Sequence, residues 1–229
     1  MAGRISTGDK LPFFRYDTPY SAQNRLRDLL IEQSPLVLVF MNNFGHPITR
    51  VFAQRYAQSY DRLQSGGLAM VVRSRADKLA GSIREDTLPF PLMCDADGVL
   101  YQLLDIPLRP NGLTSYSLEA WQILSEARRK GYRPAKNAMV QLPLTLVLDG
   151  DGTVLFCHYG TSLTDLPANC GMIQQLLEDL ELTAEDDGDV TIYAGTDGVP
   201  SIPSIREYGS PELEQTAILG LFDDAYSDA

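Results

Sequence analysis

No apolar run in this chain is long enough to cross a bilayer: PLVLVFM from Pro35 and LPLTLVLD from Leu142 fall far short of the roughly 20 residues a spanning helix needs. The opening MAGRISTGDK has basic residues but no apolar segment behind them, so it does not read as a secretory signal. A cytoplasmic protein is expected. Cysteine is scarce and odd in number. Cys94, Cys157 and Cys170 lack paired spacing, which argues against a disulfide framework or zinc ribbon and for reduced thiols. Lysine and arginine number 19 against 30 acidic residues, a formal charge of −11. Nucleic-acid binding is disfavoured, because neutralising phosphates takes basic clusters. The sequence also lacks a Gly-rich phosphate loop, a nucleophile elbow, a spaced metal-ligand set, internal repeats and low-complexity tracts. Neither a metal nor a cofactor is expected.

The charge that is present is unevenly placed. From Glu185 onward eleven acidic residues face one base, Arg206, so residues 1–184 are close to neutral. With 229 residues and 44% hydrophobic content, one principal domain and a small appendage are expected. The domain is read as 1–183, followed by an acidic extension, 184–229.

Along the domain, SAQNRLRDLLIEQ from Ser21 has helical spacing, with Ser21 available as N-cap. Leu36 to Met41 is a continuous apolar run of strand length, the mark of a strand covered on both faces. Pro47 suits a first helical turn, and apolar residues continue at helical spacing from Val51 to Leu63, with Gly66 and Gly67 as a stop. LAMVVRS, a helix from Ala76 to Arg84, the short strand FPLMCD and a helix from Val99 follow, a βαβ rhythm that predicts a largely parallel sheet. Residues 107–141 interrupt it with an inserted helix around Leu118, Trp121 and Leu124. That helix ends in Arg128, Arg129 and Lys130 before Gly131 and is flanked by loops. LTLVLDGDGTVLFCHYG reads as a hairpin, and Asn169 to Leu182 as an amphipathic closing helix. In the tail, VTIYAG has strand character, and SPELEQTAILGLF places Leu213, Ala217, Ile218, Leu221 and Phe222 on one helical face.

Several short patterns occur in a fixed order. They are Gly8-Asp9-x-Leu11-Pro12-x-Phe14, Phe44-Gly45-x-Pro47-x-x-Arg50, Pro89-Phe90-Pro91-Leu92 with Asp95-x-Asp97-Gly98, and Leu142-Pro143-x-Thr145 through Asp151-Gly152. Together they resemble the thioredoxin fold and, more closely, the peroxiredoxin-like alkyl hydroperoxide reductase/thiol-specific antioxidant (AhpC/TSA, redoxin) family over about residues 8–182. The resemblance implies an α/β fold, a central mixed sheet flanked by helices, and thiol-dependent peroxidase or oxidoreductase activity. It also implies an active loop of the form Phe-Gly-Cys-Pro-x-Cys-Arg. Here the two cysteine positions are His46 and Thr49.

A thiolate at a helix N-terminus is stabilised by unsatisfied amides, and neither imidazole nor a threonine hydroxyl replaces it as a redox nucleophile. The reading is therefore a redox-inactive relative that binds a protein, peptide or small molecule at a groove formed by Asn43, His46, Arg50 and Pro143. Pro143 matches the family's cis-proline position, and Arg50 its active-loop arginine. The helix end is expected to keep His46 neutral. The alternative is an antioxidant thiol oxidoreductase with a displaced nucleophile. Cys170 is first in line because it opens a helix, with Cys157 and Cys94 behind it. Strand alternation puts Cys157 and His158 on opposite faces, which argues against a shared metal site. The basic group Arg128, Arg129, Lys130, Arg133 and Lys136 is expected to face the acidic tail of the same chain or of a dimer mate.

Overall fold

The computed structural model describes residues 3–112, 115–135 and 138–186. The expected tail strand and terminal helix, and Lys136, lie outside them. In chain order the elements begin β1 (Arg15–Tyr16), β2 (Asn24–Arg25), α1 (Leu26–Glu32), β3 (Leu36–Phe40), α2 (Pro47–Gln58), a 3-10 turn at Tyr60–Arg62, and β4 (Gly67–Val72). Next come α3 (Ala76–Ala80), β5 (Leu92–Cys94), α4 (Val99–Leu103), β6 (Leu108–Pro110), α5 (Leu118–Arg129) and β7 (Met139–Gln141). The last three are β8 (Leu144–Leu148), β9 (Val154–Tyr159) and α6 (Cys170–Asp186).

Five strands form the central sheet in the order β5-β4-β3-β8-β9. β3, β4 and β5 run parallel, while β8 and β9 are antiparallel additions. All five residues of β3 are fully buried. Alternation along the strands divides the interior in two: Val37, Val39, Met70 and Val147 point toward α2, α5 and α6, whereas Leu36, Leu38, Phe40, Ala69 and Leu146 point toward α1 and α4. Each fully buried aliphatic side chain contributes about 1.5–3 kcal/mol, and both faces of the same strand collect that gain. This is why the run is apolar without interruption.

Four local expectations differ from what forms. Ser21 does not cap a helix: its hydroxyl lies 2.9 Å from Thr18 Oγ1, and its carbonyl accepts from Thr18 N at 2.8 Å. Residues 24–25 pair with β1 instead, and α1 starts at Leu26 without a side-chain cap. Short polar side chains that bond nearby backbone compete with helix in this way. The Pro47 helix stops at Gln58 rather than continuing to Gly66. α3 is a five-residue piece, not a helix to Arg84. The insertion is not flanked only by loops, because β6 and β7 pair antiparallel and clamp its two ends together.

At the start of β4 the chain turns on Gly66, with φ +69°. A Cβ there would sit 2.3 Å from the carbonyl oxygen of Pro35. Gly66→Ala is therefore expected to destabilise the protein by more than about 1 kcal/mol. Gly81→Ala, where φ is −81° and the nearest atom to a new Cβ is 3.9 Å away, should stay within about 0.5 kcal/mol. Urea unfolding midpoints of the two variants give the comparison, and equal midpoints would refute the steric account of Gly66.

Candidate functional site

The loop between β3 and α2 is held through its main-chain groups. Met41 N donates to Val71 O at 2.9 Å, carrying β3's pairing with β4 one residue further, and the Tyr101 hydroxyl reaches the carbonyls of Met41 and Val71 at 2.5 and 2.8 Å. Phe44 N donates to Ser74 Oγ at 2.8 Å. Arg50 Nε donates to Phe44 O at 3.0 Å, so the half-exposed arginine spends that donor on closing the loop. Asn43 and Gly45 stay exposed. His46 occupies the N-cap of α2 with extended backbone (φ −75°, ψ 130°), but its side chain makes no cap bond. Its carbonyl accepts from Arg50 N at 3.2 Å, the first helical bond, and Pro47 follows at N1.

The imidazole turns inward. His46 is only 4% exposed, and neither ring nitrogen has a hydrogen-bond partner. Burial alone lowers its pKa from 6.5 to about 4. The neutral state expected from the sequence is therefore found, but desolvation rather than the helix end produces it. Thr49, one turn on, is fully buried with its hydroxyl unpartnered.

His46 and Thr49 line a narrow crevice with Met41, Asn42, Gln141, Pro143 and Leu163 that has no room for a water molecule. The Tyr132 ring lies edge-on to the imidazole, 6.1 Å between centroids. Of the residues expected to form a groove, His46 and Pro143 lie in this crevice with Gln141 from the insertion and Leu163 from the loop after β9, whereas exposed Asn43 and half-exposed Arg50 stand outside it. Gln141 is fixed by its Nε2 donating to Ile106 O at 2.5 Å. Pro143 is buried against Gly160, whose N donates to Pro143 O at 2.9 Å and where an added Cβ would meet the proline ring at 2.6 Å. The Leu142–Pro143 bond is trans, since the cis bond among the described residues is Ser34–Pro35.

None of the three thiols reaches this loop or is activated. Cys170 contradicts the expected exposed helix start: it is fully buried, its Sγ donates to Tyr56 O at 3.3 Å, and burial raises its pKa. Leu166, Ile173 and Leu177 press that turn into the core. Burial, with the Asp17 charge second, pushes Cys94 up to about 12, and burial pushes Cys157 up to about 11. Cys157 and His158 do face opposite sides: Cys157 Sγ donates to Ile5 O, whereas His158 Nε2 meets Asp165 Oδ1 at 3.0 Å.

The His158–Asp165 pair is absent from the sequence reading. No local spacing announces it, because the loop between β9 and α6 folds Asp165 back. The His158 hydrogen bond, foremost, holds the Asp165 carboxyl down at about 2. A histidine–aspartate pair catalyses acyl or group transfer only with a nucleophile in hydrogen-bond reach. Thr145 lies across the strand from His158, but its buried hydroxyl bonds nothing.

A five-stranded mixed sheet with helices on both faces and an active-loop segment at the carboxyl end of a parallel strand defines a thioredoxin-like protein. The AhpC/TSA family model matches residues 7–157, and the chain belongs to that family. Similar solved structures include peroxidoxin BcpB from Mycobacterium tuberculosis, 18% identical with a TM-score of 0.54, covering 78% of this chain and 98% of that one. Thiol peroxidase from Chromobacterium violaceum is 14% identical with a TM-score of 0.53, covering 79% of this chain and 91% of its own. A variant of peroxiredoxin 6 from Arenicola marina is 15% identical with a TM-score of 0.54, covering 86% and 80%. None of the curated proteins compared with the chain matches it.

The closed crevice makes a prediction about pH. Between about 6.5, where an unfolded histidine protonates, and about 4, where buried His46 does, the unfolded state binds the extra proton. Stability should therefore fall as pH drops through that window, with His46 accounting for up to about 3 kcal/mol. His46→Leu should flatten this component and leave stability at pH 7 unchanged or raised, since it removes two unsatisfied buried nitrogens, each costing about 1–3 kcal/mol. Chemical denaturation of both proteins across pH 4–7 measures the effect. A marked loss of stability in the variant at pH 7 would mean that His46 has a polar partner after all.

Proposed function

We propose that the chain is a redox-silent member of the AhpC/TSA family that works by binding, as a regulatory or recognition module, through the surface around its active loop. The observation that carries the reading is the pair of residues at the family's cysteine positions. His46 and Thr49 are both buried beneath the insertion and neither is able to form a thiolate. The three cysteines support it from the other side, since burial raises each thiol above its ordinary value and a nucleophilic thiol needs the opposite. Recognition would start on the parts of the loop that face outward, Asn43 and Gly45 with half-exposed Arg50 beside them. A ligand that reached His46 would meet the Tyr132 ring, which lies edge-on to the imidazole. The three free thiols suit a reducing compartment, in keeping with a cytoplasmic protein.

Peroxide consumption with dithiothreitol as reductant tests the proposal on the wild type and on Cys94→Ser, Cys157→Ser and Cys170→Ser. All four should consume peroxide at the rate of free dithiothreitol. Turnover well above that rate, abolished by one of the substitutions, would place the chain among the active thiol oxidoreductases with that cysteine as nucleophile.

A further inference from the structure

α5 has two faces. Ala120, Leu124 and Ala127 are buried against the domain, and Arg55 on α2 holds the helix from the side through an ion pair with Glu119 at 2.5 Å. The outer stripe runs through Leu118, Trp121, Gln122, Ser125, Arg128 and Arg129, at the spacing of one helical face. Its first half is apolar and open: Leu118 is 79% and Trp121 51% exposed. Its last half is basic. Lys130 is paired with Glu126, whereas among the described residues neither Arg128 nor Arg129 has an acidic partner, and Arg133 is exposed beside them. An apolar pair leading into uncompensated arginines fits an amphipathic acidic segment better than open solvent.

The chain carries such a segment. Residues 207–228 contain Glu207, Glu212, Glu214, Asp223, Asp224 and Asp228 and no base, and Leu213, Ala217, Ile218, Leu221 and Phe222 share one face at helical spacing. From Asp186, where the described structure ends, to Ser210 there are 24 residues. A chain of that length spans up to about 80 Å when fully extended. That exceeds the diameter of a domain of this size, about 40 Å for a radius of gyration of about 16 Å, so reach does not restrict where the segment lands.

We propose that the C-terminal acidic segment, about residues 210–224, docks on the outer face of α5 in the same chain, with Trp121 and Leu118 meeting its apolar face and Arg128 and Arg129 meeting its carboxylates. α5 would then be held between the acidic segment outside and α2 inside. Because Tyr132, just beyond α5, is the residue lying on His46, the docked segment bears on the cover of the active loop. The proposal stands whether or not that loop binds a ligand.

The protein contains its own reporter, since Trp121 is its single tryptophan. In the intact chain at low salt, acrylamide should quench Trp121 slowly. Ile218→Asp/Phe222→Asp, which leaves residues 3–186 untouched, should raise the quenching constant about twofold or more by re-exposing the ring. Arg128→Glu/Arg129→Glu should do the same. Raising the salt to about 1 M should loosen the wild type partway, because charges are then screened beyond about 3 Å. Sedimentation velocity of the same samples identifies the occupant. A monomer whose Trp121 protection is lost in the tail variant supports the proposal. Quenching that is identical in wild type and tail variant overturns it. So does a dimer whose dilution releases the tryptophan, which would assign the face to a second copy.

Discussion

Burial of β3 on both faces is the constraint from which the rest of the molecule follows. A strand with no exposed residue needs helices above and below it, and the parallel pairing with β4 needs a crossover to carry the chain between them. Because β3 and β4 run parallel, the loop after β3 emerges at the same end of the sheet as the loop after β4. There Ser74 ties down Phe44, and Tyr101 closes over the carbonyls of Met41 and Val71. The loop is therefore placed by strand pairing and held by side chains, Ser74 and Tyr101, that bond its main chain and do not depend on the identity of residue 46.

The residue at this helix start decides what the surroundings can do. A thiolate at a helix N-terminus needs access and unsatisfied amides. An imidazole in the same place, covered by Tyr132 and lined by Pro143 and Leu163, gets neither and becomes a desolvated neutral ring. The insertion is central to this. Clamped at its base by β6 and β7, it brings Gln141 under the loop and Tyr132 over it, while α5 packs on α2 and presents its second face outward. The segment that breaks the βαβ rhythm of the sequence is the one that brings Gln141 and Tyr132 to this crevice.

Much of this was legible along the chain. The apolar runs of β3, β4 and β8 declare strands with two covered faces, and Pro47 marks the start of α2 because proline tolerates the first helical turn and little else. The ordered motifs from Gly8 to Gly152 point to the family, and the loop pattern singles out His46 and Thr49 at the start of α2. Errors fell where short-range competition or distant packing decides. Ser21 bonded Thr18 rather than a helix, and Cys170 was drawn inward by Leu166, Ile173 and Leu177, residues that mark a helix face without saying how deep its first turn lies.

By itself the sequence determined the class of fold, the position of the loop that joins β3 to α2 and the absence of a cysteine from it, since these depend on local periodicity, turn chemistry and residue identity. Only the tertiary structure decided whether that loop is open, what covers His46, how Asp165 meets His158, and which thiols are buried. Those outcomes depend on residues brought together from Tyr132, Gln141, Pro143 and Leu163, whose contacts are set by how the insertion and the last loop pack on the sheet, and separation along the chain does not encode that packing.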